Sequence, residues 1–241
     1  MLDLLRGLDA VEGILRYRIS SIEPNLLTDE IIQFVAHSRA FLPHFHVPLQ
    51  AGSDHVLEMM LRRYDTALFR SKMEKIKEAM PDACIAADIM AGFNGESEEE
   101  FSKVLSFVES IPISYLHVFT YSDRPGTAAL KLPEKIPVNV RREHTARLLE
   151  LSEKKHKEFI TSQLGKSRPV LWESKQVDTL NVDKLTSSDN QSTNQRINVS
   201  TLMYGWTDNY IRLSRPYDAS LVNTVEEVAL TPDSIVADLD F

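Results

Sequence analysis

The 241-residue chain contains one cysteine, Cys84. A lone cysteine excludes an internal disulfide, and it excludes a zinc site or iron–sulfur cluster built from this chain's thiolates alone. The sequence also lacks any continuous apolar run near the ~18 residues that a membrane span requires. Its start, MLDLLRGLDAVEGILRYR, is broken early by acidic residues and has no small-residue cleavage site. It reads as a helix beginning in mid-pattern, not as a secretory leader. Positive charge is short as well: 27 Lys and Arg face 35 Asp and Glu, a net charge of −8. That balance argues against bulk attraction to nucleic acid but leaves room for a local basic patch. Together these shortages predict a cytoplasmic protein with no membrane partner.

What is present is a core. With 43% hydrophobic residues, the chain has enough apolar material for one large domain or two ordinary ones. Strand-like and helix-like stretches alternate at first. Arg16 to Ile22, His44 to Gln50, Cys84 to Met90 and Tyr115 to Tyr121 read as strands. Between them lie helical stretches from Thr28 to about Ser38, Asp54 to Leu61, Ala67 to Met80, and one opened by a Ser97/Glu100 capping box. This alternation predicts an α/β fold with a parallel sheet, open or barrel-like. After Pro133 a long amphipathic helix is expected from about Val140 to Leu164. Its expected apolar face is Leu148, Leu149, Leu151, Phe159, Ile160 and Leu164, and Gly165 closes it. Beyond Gly165, the runs RPVLWES, TLMYGWTDNYIRLS, LVNTVEEVAL and SIVADLD suggest a small antiparallel β-barrel. Val177 to Gln195 reads as a flexible loop. The expected domains are therefore 1–165 and 166–241.

The strand ends hold the chemically interesting residues, each with an ordinary reading beside it. In HVPLQAGSD, Gln50 and Ser53 end a strand where α/β proteins seat ligands, yet a capped turn has the same composition. Glu23 suits a ribose diol or an ammonium group, or is a solvated residue before Pro24. Asp88 is either a functional carboxylate or a turn acceptor. Gly92 and Phe93 suit an adenine ring, although loops favour glycine in any case. His44 and His46 alternate on one strand and share a face, but no third ligand stands at a helpful spacing, so no metal site is assigned. Arg124 beside Pro125-Gly126 suits a phosphate or carboxylate, or is a turn arginine. Tyr204, Trp206, Tyr210, Arg212 and Arg215 interleave aromatic and basic residues as base stacking requires. The region from Lys166 onward holds seven Lys and Arg against eleven Asp and Glu, which leaves packing or protein contact as a rival role.

Four segments then carry a resemblance. RYRISSIEPNLLTDEII, HVPLQAGSDHVLEMMLRRY, IAADIMAGFNGESEEEF and LHVFTYSDRPGTAA, in that order, resemble the latter half of the radical S-adenosylmethionine domain of methylthiotransferases. The run YGWTDNYIRL resembles their TRAM domain. The resemblance implies half of a radical-SAM (β/α)6 barrel followed by a TRAM β-barrel. It implies S-adenosylmethionine held by Glu23, Gln50, Ser53, Asp88, Gly92 and Phe93, and a [4Fe–4S] cluster. Arg124, Trp206, Tyr210 and Arg212 would meet tRNA at the anticodon stem-loop. The phrasing most resembles the branch that adds a methylthio group to C2 of N6-threonylcarbamoyladenosine at position 37 of tRNA. Sister branches act on isopentenyladenosine or on a ribosomal protein.

The departures shape the expectation. The family's CxxxCxxC loop and its N-terminal three-cysteine domain are not in this sequence, and Asn94 stands where the family usually has proline. The resemblance therefore implies a C-terminal portion that has no catalytic residue of its own and is inactive alone, with the N-terminal domain as partner. The alternative is a stand-alone, non-catalytic RNA-binding or scaffold protein.

Overall fold

The computed structural model describes residues 1–132, 134–173 and 202–236. The expected loop Val177 to Gln195 and the end of the last expected strand lie outside them. The chain divides into two compact units, Met1–Gln163 and Leu164–Asp240.

The first unit runs α1 (Leu2–Asp9), β1 (Tyr17–Ile19), α2 (Asp29–His37), β2 (Phe41–His46), α3 (Asp54–Met59), α4 (Thr66–Ala79), β3 (Cys84–Ala91), α5 (Glu98–Ser110), β4 (Tyr115–Thr120) and α6 (Val138–Gln163). The strands form one parallel sheet in the order β1-β2-β3-β4. Helix starts follow local chemistry. The side chains of Thr28, Ser53, Asp65 and Ser97 accept from Ile31, Val56, Leu68 and Glu100 backbone N–H groups. The reciprocal half of the expected capping box does not form. Ser97 N–H donates to Gly95, while the Glu100 carboxylate turns to Ser53 and Lys103.

Register separates the sheet's two faces. Phe45, Ile85, Ala87, Leu116, Ile89 and Val118 share the face that packs on helices, where Phe69, Phe101 and Val104 are fully buried. Each fully buried large apolar side chain there stabilises the fold by roughly 1.5–3 kcal/mol. His44, His46, Asp88, Tyr115 and His117 occupy the opposite face. Strand β2 begins three residues earlier than the sequence suggested. Pro48 has no N–H, yet the ladder continues past it through Val47 and Leu49 N–H bonds to Ala86 and Asp88.

The buried stripe of α6 differs from the expected one. It is Arg141, His144, Leu148, Ser152, Lys155, Phe159 and Gln163, while Leu149 is 51% exposed. The reason is that α6 covers backbone as well as apolar side chains. Ser152 Oγ accepts from Leu116 N–H (2.8 Å) and donates to Leu116 O (3.1 Å). Lys155 Nζ donates to the Glu109 and Ile111 carbonyls at the end of α5. Burial lowers the Lys155 pKa.

The second unit is an antiparallel sheet in the order β7-β6-β5-β8, built from β5 (Ser167–Trp172), β6 (Leu202–Thr207), β7 (Arg212–Pro216) and β8 (Val225–Ala229). Ile235 bridges to Leu213 of β7. No helix among the described residues is long and apolar enough to cross a membrane.

Candidate functional site

The C-terminal ends of the four parallel strands share one edge, and most of the singled-out residues of the first unit lie there. Tyr64 shapes the end of β2. Its buried hydroxyl donates to the Pro48 and Leu49 carbonyls at 3.1 and 3.2 Å, and burial pushes its pKa up to about 12. Gln50 follows in a left-handed conformation, φ +66°, exchanging backbone bonds with Asp88 and Met90. Glu23 is half-exposed and pairs with Arg62 at 3.6 Å. Ser53 is buried, its hydroxyl hydrogen-bonded to Glu100.

Gly92 and Phe93 are enclosed by protein. A Cβ on Gly92 would lie 2.8 Å from Arg141 Cβ and 2.9 Å from its Cα, so this bare backbone admits α6. Phe93 packs with Ala51, Val56, Leu57 and Tyr64, edge-on to the Tyr121 ring. Arg124 is exposed on the turn after β4, beside a cavity of about 370 Å³ also lined by Met90, Phe119 and Tyr121.

No local sequence pattern marks the network behind this edge. Asn94, fully buried, donates to Ala129 O and Asp123, and accepts from Arg141 Nη2 at 3.1 Å. Proline there would have no such side-chain groups. Glu96 accepts from Gly92 N–H at 2.6 Å and sits 3.1 Å from His144 Nδ1, whose ring stacks on Phe101 at 3.6 Å. Burial disfavours the charged imidazolium of His144. Its bonds to Glu96 and Glu98 outweigh that and raise its pKa above the ordinary 6.5.

On the opposite face of the sheet, neighbouring strands bring together polar side chains that spacing along one strand did not reveal. His46 Nε2 lies 2.6 Å from Asp88 Oδ1, and His117, paired in register with Asp88, brings its ring 5.1 Å from that of His46. Burial lowers the pKa of His117 and, with the Arg18 charge nearby, pushes His44 down to about 3.

In the second unit, the aromatic and basic residues are assembled by the β6–β7 hairpin, in which Trp206 and Arg212 are cross-strand partners. The Arg212 guanidinium lies 4.2 Å over the Tyr204 ring, and Trp206 stacks on Tyr210 at 4.4 Å and 19°. Arg215 instead pairs with Glu226 at 2.9 Å and lies over Trp172. Asn209 is fully buried inside the turn, where it accepts from the Thr207 hydroxyl.

A cysteine-held cluster does not fit the residues present. Cys84 is buried within β3 and burial pushes its thiol up to about 12. Glu23, Gln50 and Asp88 leave polar groups partly accessible at this edge.

Residues 2–108 match the model of the Radical SAM superfamily. The chain is 35% identical over 211 residues to "Threonylcarbamoyladenosine tRNA methylthiotransferase MtaB" of Bacillus subtilis (strain 168), covering 87% of this chain and 43% of that protein. It is 39% identical over 168 residues to "tRNA-2-methylthio-N(6)-dimethylallyladenosine synthase" of Thermobifida fusca (strain YX), covering 70% of this chain and 34% of that one. The solved structure of coproporphyrinogen III oxidase (HemN) from Escherichia coli, a radical SAM enzyme, aligns with a TM-score of 0.46 at 16% identity, over 60% of this chain and 32% of that one. The chain thus spans less than half the length of the two curated relatives. Residues 2–108 are thus similar to the radical SAM superfamily, and the chain is similar over most of its length to proteins named as tRNA methylthiotransferases.

Proposed function

We propose that this chain serves methylthio transfer to C2 of N6-threonylcarbamoyladenosine at position 37 of tRNA. Similarity to the Bacillus subtilis MtaB protein, whose name carries that nucleoside, supports the reading. The 211 residues aligned with the MtaB protein exceed the first unit, Met1–Gln163, and so reach well into the second.

In this reading, residues 1–165 are the latter half of a (β/α)6 barrel and 166–241 a TRAM domain. Glu23 and Gln50 take the ribose and ammonium of S-adenosylmethionine, with the Asp88 carboxylate beside them. Ser53, Gly92 and Phe93 shape that edge from behind. Arg124 grips a phosphate of the anticodon stem-loop, while Trp206, Tyr210 and Arg212 offer stacking and charge to RNA. S-adenosylmethionine beside a reduced [4Fe–4S] cluster supplies the radical chemistry. The cluster's cysteines must come from an N-terminal domain, so this chain alone is inactive. Nucleoside mass spectrometry of tRNA from cells lacking the gene tests the assignment. The methylthio group should vanish from threonylcarbamoyladenosine and persist on isopentenyladenosine. The reverse pattern would favour the sister branch, and loss from neither would overturn the enzymatic reading.

The buried, single Cys84 favours one rival, a stand-alone RNA-binding protein. That reading requires the purified chain to bind tRNA, and a gel-shift without affinity at low salt would remove it.

A further inference from the structure

We infer that His46, Asp88 and His117 form a binding site for one divalent transition-metal ion, separate from any thiolate-held cluster. The three residues come from adjacent strands, β2, β3 and β4, and project from the same face of the sheet. Their ligand atoms all lie within 4.8 Å of one another. The shortest separation, His46 Nε2 to Asp88 Oδ1, is 2.6 Å. A metal ion binds imidazole nitrogen and carboxylate oxygen at about 2.0–2.2 Å, which in tetrahedral geometry sets ligand atoms about 3.4 Å apart. Side-chain rotations of about 1 Å therefore close the triangle around an ion, with the strands left in place.

Several features favour an ion over a simple hydrogen bond. Two imidazoles and one carboxylate suit zinc, cobalt, nickel or ferrous iron, whereas magnesium and calcium prefer all-oxygen shells. The ligands stand on paired strands and not on loops, so their spacing is fixed before an ion arrives. Tyr115 sets its ring edge-on to His117 at 5.2 Å and limits that imidazole's rotation. The side chains of His46 and Asp88 retain 21% and 16% exposure, which leaves an ion a path in and an open coordination position. An anionic oxygen of a molecule lying on this face would complete the shell.

The test is titration of the purified 241-residue chain with cobalt(II) and zinc(II) alone, by calorimetry and visible absorption. The buried Cys84 thiol cannot compete, so the background is free of thiolate signals. One equivalent should bind. His117→Ala and Asp88→Ala should each weaken binding at least about tenfold. His55→Ala, at an exposed histidine outside the cluster, should change nothing. Zinc added to the unmodified chain should shift the NMR ring resonances of His46 and His117 but not those of His55, a readout independent of variant folding. Absence of saturable binding at one equivalent would overturn the site. So would binding that survives His117→Ala, or zinc shifts confined to other histidines. In any of these cases the His46–Asp88 contact is a hydrogen bond only.

Discussion

Gly92→Ala offers a measure of how tightly α6 is seated against the end of β3. Gly92 has φ +75°, and a Cβ there would come within 3 Å of the backbone of Arg141. Gly126, with φ +83°, has nothing within 4 Å of the same added atom. An alanine forced into left-handed geometry costs roughly 1–2 kcal/mol wherever it sits. Overpacking adds about 1–3 kcal/mol more where backbone must move. Gly126→Ala should therefore cost about 1 kcal/mol and Gly92→Ala about 3 kcal/mol. For a unit of this size, these correspond to losses of about 2–4 °C and 6–12 °C in Tm. The α-helices α1 to α6 all lie in Met1–Gln163, while both tryptophans, Trp172 and Trp206, lie in the other unit. Circular dichroism at 222 nm thus follows the first unit, and tryptophan fluorescence follows the second. Equal shifts for the two variants by circular dichroism would show that α6 yields to the added methyl and that the Gly92 contact is loose.

Three further substitutions probe other parts of the structure. His144 has a raised pKa in the folded state, so its bonds to Glu96 and Glu98 stabilise fully below the unfolded imidazole pKa and are lost as pH rises through the folded value. Urea midpoints should fall over that interval, and His144→Gln should flatten the decline; an unchanged slope refutes the assignment. Ser152→Ala strands the buried N–H of Leu116, and unfolding should show a loss of about 1–3 kcal/mol. Near-zero loss would mean that water replaces the hydroxyl. Arg212→Ala should weaken tRNA binding and reduce its salt dependence by about one unit of slope. Unaltered affinity and slope would leave the Tyr204–Arg212 stack a purely structural contact.

The architecture was readable wherever one signal dominated. Period-two and period-3.6 patterns located β1 to β4 and the helices between them, and Thr28, Ser53 and Ser97 marked helix starts because a short hydroxyl side chain is what an N-terminus needs. The signal failed on α6. Hydrophobicity pointed to Leu149 and Ile160, but the helix buries Ser152 and Lys155, whose value lies in the backbone groups they reach, and Gln163, which donates to the Asp82 carboxylate. Those partners are 36 to 81 residues distant in sequence, so no local period records them. The same limit hid His117. Nothing near His46 announced a partner, because the partner is set by sheet register, β2 on β3 and β3 on β4.

That register is itself dictated by the other side of the sheet. Phe45, Ile85, Leu116 and Val118 must all point into the helix-covered core. Sliding β3 by one residue would drive the Asp88 carboxylate in among Phe101 and Val104 and turn Ile85 and Ile89 out of that core. An unpaired carboxylate in such a place is costly enough to abolish the alternative. The apolar face therefore fixes the polar one: once Phe45 and Ile85 are packed, His46, Asp88 and His117 can only stand together on the reverse. The chemistry available on this sheet is thus set by residues that never touch a ligand.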